Sequence, residues 1–332
     1  RSLCLDLKSP EGIAVVERLV TQVDILVENF RPGAMDRLGL GYNHLKTINP
    51  GLIFASGSMY GPKGDRGMDP GYDNIAQATA GLMAFTTTEG DTPAGAQPGI
   101  ADQTGGSMLA YAVLAALVHK LRTGEGQKVD VSLYGSLIAL QGIHIARDWN
   151  DHELAPPGKS SGVFSHRALC IDSRWIAFGH LEARHFPNLA HALDLDELAT
   201  DPRFATSEAR GANMGALVER IDAQVIQRPA ADWIAHLREA DVPCTIVHTY
   251  DDIREDPQAI ANGYVHETQH PKWGSVATHG PVAQFSESPA EVRFHAPITP
   301  GNHSTEILTE AGFTPDEIAT LTASSAVLTA SE

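Results

Sequence analysis

Asp102 is the residue of this chain whose setting points most directly to chemistry. It stands in Gly99-Ile100-Ala101-Asp102-Gln103-Thr104-Gly105-Gly106, after a Gly/Pro/Thr-rich stretch (89–99) and at the head of a helix expected over 103–122. A carboxylate there can cap the helix by accepting its first N–H groups. It can equally be a carboxylate held ionised by the helix dipole and nearby N–H groups. In that state it can attack a carbonyl, with backbone amides at hand for the oxyanion. The two roles are compatible. Asp73, in Gly71-Tyr72-Asp73-Asn74, opens another expected helix (73–85) and reads as its cap. Arg31 and Arg37 follow a strand end, where a guanidinium is either solvated surface or a phosphate ligand.

Other chemistries lack their residues. Gly39 and Gly41 follow a helix rather than a strand and lack the third glycine of a dinucleotide fingerprint. Neither G-x-x-x-x-G-K-[ST] nor G-x-S-x-G occurs. His180, His185 and His191 are spaced by five and six, not the three or four that place two ligands on one helix face. Cys4, Cys170 and Cys244 are odd in number and far apart, which fits a reducing cytoplasm and no disulfide framework. With 24 basic and 41 acidic residues among 332, the net charge is −17. Such a chain has no general attraction for nucleic acid or anionic membrane, so a polyanionic ligand requires a local basic pocket.

The first part of the chain supplies the frame. Leu3–Leu7, Asp24–Asn29 and Leu52–Ser56 read as strands. Between them lie a helix from Pro10 to about Val23, capped by Ser9, and a helical stretch around Pro32–Leu40. Strands separated by helices predict a parallel sheet covered on both faces, with ligands at the carboxyl ends of the strands, here 29–33 and 57–71. The helix over 103–122 is apolar on most of its surface, and its strongly apolar run, 108–118, is too short for a membrane span of about 20 residues. It is therefore expected to be buried, ending at Gly124. A strand (128–133) and a helix to about Asp148 follow. Trp149–Gly162 has linker composition. Beyond it come a hairpin around Asp172-Ser173, helices near 182–193, 213–226 and 230–239, a turn-rich extended stretch (271–300), and a capped helix opening at Thr314. The expected fold is thus α/β. A Rossmann-like large domain comprises 1–150 and 295–332, and a smaller α/β domain 165–264, joined by linkers 151–164 and 265–294.

Together these segments resemble the class III coenzyme A transferases, a family that includes formyl-CoA and carnitine CoA transferases and the α-methylacyl-CoA racemases. The resemblance lies in RSLCLDLKSPEG (1–12), DILVENFRPGAMDRLGLGY (24–42), NPGLIFASGS-MYGPKG (49–64), GYDNIAQATAGLM (71–83), ADQTGGSMLAYAVLAAL (101–117) and RTGEGQKVDVSL (122–133). Further matches downstream extend it over nearly the whole chain. It implies Asp102 as the catalytic carboxylate, with Tyr72 and Asp73 as its partner segment. Racemases carry histidine where Tyr72 stands, so transfer is favoured over racemisation. It also implies CoA contacts at Leu5 to Lys8, at Asn29 and Phe30, and at Arg37.

In the mechanism the resemblance implies, Asp102 passes through a mixed anhydride to an aspartyl-CoA thioester. Backbone groups from Gln103 to Gly106, with Gly105 and Gly106 among them, are the oxyanion candidates. The enzyme needs no metal and no permanently bound cofactor, because CoA and acyl-CoA are substrates along with a carboxylic acid. The resemblance further implies an interlocked homodimer, its active site at the subunit interface, and an additional strand–helix unit ahead of Arg1. Two departures stand out: Ala101 replaces a frequent glycine, and only Pro156–Ser161 fills the place of formyl-CoA transferase's glycine-rich loop. A 2-methylacyl-CoA racemase and a non-catalytic CoA-binding dimer are the alternatives.

Overall fold

The computed structural model of the protein describes residues 1–87, 90–150, 164–181, 184–293 and 295–329. The order begins β1 (Cys4–Leu5), α1 (Pro10–Val20), β2 (Ile25–Glu28), α2 (Ala34–Arg37), α3 (Tyr42–Ile48), β3 (Ile53–Ser58), α4 (Asp73–Thr79), α5 (Leu82–Thr86), α6 (Ile100–Thr123), β4 (Lys128–Ser132), α7 (Leu133–Leu140) and α8 (Gly142–Asn150). Then come β5 (Phe164–Leu169), β6 (Trp175–Leu181), α9 (His185–Ala192), α10 (Glu197–Thr200), α11 (Ser207–Ala212), α12 (Met214–Val225), α13 (Ala230–Glu239), β7 (Cys244–Ile246), α14 (Tyr250–Glu255), α15 (Pro257–Ala261), β8 (Val265–His270) and β9 (Gly274–His279). The chain closes with α16 (Ser304–Glu310), α17 (Pro315–Ala323) and β10 (Val327–Leu328). It divides into two compact units, residues 1–152 with 269–274 and 293–332, and residues 153–268 with 275–292.

The frame of the first unit is a parallel sheet in the order β2–β3–β4. Register places Glu28 beside Ser56 and Ser56 beside Asp130. The central strand β3 is buried over Ile53–Ser56, as a strand covered on both faces must be. One face meets Val20, Met35, Leu40 and Leu45 from α1 to α3. α6 packs against β3 and β4, and Leu109 reaches Gly57. The chain's two ends meet in the same unit, where Val15 packs with Leu308, Ile318 and Val327.

Several expectations change. The first strand is only two residues long and pairs antiparallel with β10, not with the parallel sheet. Ser9 ends it early, because its N–H and hydroxyl both donate to the Asp6 carbonyl and set up α1. α1 stops at Val20 rather than Val23. The stretch 32–40 holds just four helical residues, and α3 was not expected. The helix expected over 73–85 breaks in two at Gly81, whose φ of +79° is left-handed. The helix after β4 likewise divides at Gln141.

α6 is the largest departure. It is 24 residues long, and by length and composition it passes for a membrane span. Ala101, Gly105, Val113 and Ala116 are buried as expected. Tyr111, Leu114, Val118 and Leu121 are exposed, and their spacing makes one helical stripe. The described residues cover only one side of this largely apolar helix.

The second unit contains the antiparallel sheet β5–β6–β7. Its hairpin turns at Asp172-Ser173 as expected, with Ser173 at φ +62°. Trp233, Phe204, Leu193, Leu217 and Ile221 form its core, and the Trp233 ring N–H donates to Val225 O at 2.8 Å. Most of the proposed linker after Trp149 lies outside the described residues. Thr314 and Glu317 form the reciprocal cap expected for the last helix. Among the described residues no group of three His, Cys, Asp or Glu side chains could hold a metal ion, and Cys4, Cys170 and Cys244 are free thiols.

Candidate active site

Two adjoining clefts open where β2 and β3 end. The first, of about 430 Å³, is lined by Glu28, Arg31, Gly33, Tyr42, Ser56 and Lys128 among others. The second, of about 450 Å³, brings Asn29, Phe30, Arg31, Tyr72, Asp102 and Gly106 together. Phe30, Arg31, Pro32, Gly57 and Ser58 wall both. These volumes fall within the range of about 300–1,000 Å³ usual for small-molecule sites.

The loop after β2 is held open by its neighbours. The Glu28 carboxylate accepts from the Ser56 hydroxyl and from the Phe30 N–H, the latter at 2.9 Å. The Asn29 amide donates to Gly57 O at 2.9 Å, tying the strand ends together. With both polar neighbours fixed, the Phe30 ring stands half exposed in the wall between the clefts. Arg31 is exposed and, among the described residues, makes no ion pair. It is thus a cation of the kind that an acidic protein must supply if an anion binds here. Lys128, by contrast, is paired with Asp130 at 2.9 Å.

Asp102 does not cap α6. Gly99 is the N-cap residue, and Asp102 lies in the first turn. The N-terminus is capped from outside: Asp73 Oδ1 accepts from the N–H of Ala101 (2.7 Å) and of Asp102 (3.2 Å). Asp73 itself opens α4 at its first residue, after Tyr72, and spends its carboxylate on the neighbouring helix. This leaves the Asp102 carboxylate with no capping duty, exposed at the cleft. Partial desolvation, followed by the charge of Asp73, pushes its carboxyl above the ordinary range. That is the opposite of the shift expected from the helix dipole alone. A raised carboxyl is more basic, hence a better nucleophile once ionised, and it loses its charge sooner as pH falls.

The glycines of this turn serve packing and space. A Cβ on Gly105 would lie 2.5 Å from Leu133 Cδ2, so glycine lets α7 approach, whereas a Cβ on Gly106 would meet nothing. The Gln103 N–H already donates to Gly99 O at 3.0 Å. The N–H groups of Gly105 and Gly106 lie inside α6, where they point back toward the preceding turn. The oxyanion role expected of these three amides therefore has no free donor among them.

Of the remaining expected residues, Tyr72 is largely exposed and lines the second cleft. Arg37 lines neither cleft, although its Nη1 is 3.1 Å from where a Cβ of Gly33, a lining residue of the first, would stand. Leu5 and Lys8 line neither cleft. Leu5 is paired with Val327 and packs in the cluster around Val15, while the exposed Lys8 donates its N–H to Asp6. Sequence reasoning missed Glu28 and Gln77. Gln77 is fully buried and bonds to Asp73 and to both backbone groups of Ala96. Its signal was available: a polar residue four positions after Asp73, one turn further along the same face of the helix.

The parallel sheet, the two clefts at its strand ends and the exposed Asp102 carboxylate lining the second make this an α/β protein with a candidate site at the strand ends. Residues 1–304 match CoA-transferase family III, and the chain belongs to that family. It is 32% identical over 331 residues to the succinyl-CoA–D-citramalate CoA-transferase of Chloroflexus aurantiacus, covering 97% of this chain and 81% of that protein. It is 29% identical to human succinyl-CoA:glutarate CoA-transferase, covering 93% of this chain and 71% of that one. Among solved structures, a CAIB/BAIF family protein from Brucella suis superposes with a TM-score of 0.84 at 28% identity, covering 94% of this chain and 81% of the other.

Proposed function

We propose that the protein moves coenzyme A from an acyl-CoA donor to a carboxylic acid through covalent chemistry at Asp102. The observation that carries this reading is the Asp102 carboxylate, released from capping by Asp73 and facing a cleft walled by Asn29, Phe30 and Arg31. Asp102 attacks the thioester carbonyl, the C–S bond breaks, and a mixed anhydride and CoA thiolate result. The thiolate then attacks the aspartyl carbonyl, which releases the donor acid and leaves an aspartyl-CoA thioester. The acceptor carboxylate attacks that thioester, and the returning thiolate takes the acceptor's acyl group, freeing Asp102. One thioester replaces another, so the reaction needs no outside energy source and no permanently bound cofactor.

CoA is placed along the paired clefts, with Asn29 and Phe30 beside the thioester arm and Arg31 and Arg37 toward the phosphates. Leu5 and Lys8 keep only the family resemblance in their favour. Tyr72 borders the acyl end, and Gly106 leaves room for it. The citramalate and glutarate relatives make succinyl-CoA the first donor to try and dicarboxylates the first acceptors. In this reading the first and last parts of the chain form the CoA-binding domain of an interlocked homodimer, and a second copy covers the α6 stripe. The acceptor test is direct: incubate the protein with succinyl-CoA and a set of carboxylates, and follow new acyl-CoA by mass. Transfer that Asp102→Ala abolishes supports the reading, whereas full transfer by that variant overturns it. Deuterium entering the α-carbon without transfer would instead favour the racemase alternative.

A further inference from the structure

The hydrogen bonds behind Asp102 continue one residue further than the reaction requires. Gln77 is completely buried, and its amide is fully used. Nε2 donates to Asp73 Oδ2 at 2.5 Å and to Ala96 O at 3.0 Å, while Oε1 accepts from Ala96 N at 2.8 Å. The amide has one workable orientation, since flipping it would set its oxygen against the Asp73 carboxylate and the Ala96 carbonyl. The loop comes in close to allow this: a Cβ on Gly95 would lie 3.3 Å from Gln77 Oε1. Asp73 then passes the connection on through Oδ1 to the N–H groups of Ala101 and Asp102.

We propose that Gln77 is a positioning residue for Asp102, clamping Asp73 between the 95–99 loop and the first turn of α6 so that the nucleophile is held in place beside a fixed negative charge. The inference rests on the reading of Asp102 as the nucleophile. The bond from the Gln77 amide to the Asp73 carboxylate is charge-assisted, and such bonds are stronger than neutral ones. The clamp therefore fixes two things at once: where the α6 terminus sits, and how much charge Asp102 feels. The ionisable side chains around it are Asp73 and Asp102, with Tyr72 next along the chain. α7, which packs on α4, adds only Tyr134, whose ring lies against Tyr60. α5 adds none.

The test compares the full-length protein with Gln77→Glu and Gln77→Leu. In Gln77→Glu one oxygen still accepts the Ala96 N–H, but the other meets Asp73 at carboxylate–carboxylate distance and fits only when it carries a proton. Its rate relative to wild type must therefore fall as pH rises. Gln77→Leu removes all three bonds and should slow acylation of Asp102 by about tenfold or more at every pH, through kcat rather than KM, because misplaced reacting groups are costly. The readout is the rate of hydroxylamine-trapped adduct on Asp102 with succinyl-CoA across pH, with a melting curve for each variant. Should Gln77→Leu not fold, Gln77→Glu decides alone. Wild-type adduct together with an unchanged pH profile in Gln77→Glu, or with a loss that merely tracks the folded fraction, overturns the inference about Gln77. Transfer by the wild type with no adduct on Asp102 overturns the reading of Asp102 itself, and the inference with it.

Discussion

Replacing Asp73 separates its two effects. Asp73→Ala leaves the N–H groups of Ala101 and Asp102 without their shared acceptor, and loss of such a cap costs about 0.5–2 kcal/mol. It also strips one partner from the buried Gln77 amide, and an unsatisfied buried donor costs about 1–3 kcal/mol. The variant should therefore lose about 1.5–5 kcal/mol in denaturant unfolding. Asp73→Asn keeps the shape and one acceptor oxygen, but turns an NH₂ toward Gln77 and removes the charge. It should lose less stability, and its effect on Asp102 should be electrostatic. The charge of Asp73 raises the Asp102 carboxyl, so removing it must bring that carboxyl down. Activity that depends on ionised Asp102 then persists to lower pH than in wild type. The assays are chemical denaturation near neutral pH and the pH dependence of the first half-reaction. An Asp73→Ala variant within about 0.5 kcal/mol of wild type would refute the capping argument. An acid limb that stays in place or moves upward in Asp73→Asn would refute the electrostatic one.

Gly105→Val would force a branched side chain against Leu133 and should destabilise the protein by about 1–3 kcal/mol, measurable as a lowered unfolding midpoint. Asp252 is held down at about 2 by the Thr249 N–H and hydroxyl and then by Arg174, so its contribution to stability is present above the ordinary carboxylate range and lost as pH falls toward 2. Asp252→Asn should accordingly reduce stability at neutral pH and flatten the acid side of the stability profile, and an unchanged acid profile would contradict that assignment.

The elements legible in the sequence were those whose local signals and long-range packing agree. β2 and β3 carried apolar runs between clear breaks, and Thr314 with Glu317 spelled out a cap that the structure contains. Asp102 and Asp73 each read as the head of a helix, but neither is the N-cap residue of its own helix, and only the fold reveals that Asp73 accepts from the Asp102 N–H 29 positions away. The short β1 was misassigned to the parallel sheet because its partner, β10, lies at the other end of the chain. The burial of α6 was overestimated because composition reports how apolar a helix is, not how many of its sides its own chain covers. Glu28 escaped notice because its partner Ser56 is brought to it only by strand pairing, and Gln77, though visible one turn after Asp73, draws its meaning from Ala96, which only the fold places beside it.

The central claim is that Asp102 carries the acyl group and then CoA. The most direct measurement is to incubate the full-length protein with succinyl-CoA, quench with hydroxylamine, and map the modified peptide by mass spectrometry. The account predicts a hydroxamate on Asp102 that is absent without donor and absent from Asp102→Asn. Steady transfer of CoA with Asp102 unmodified, or with the adduct on another carboxylate, would contradict it.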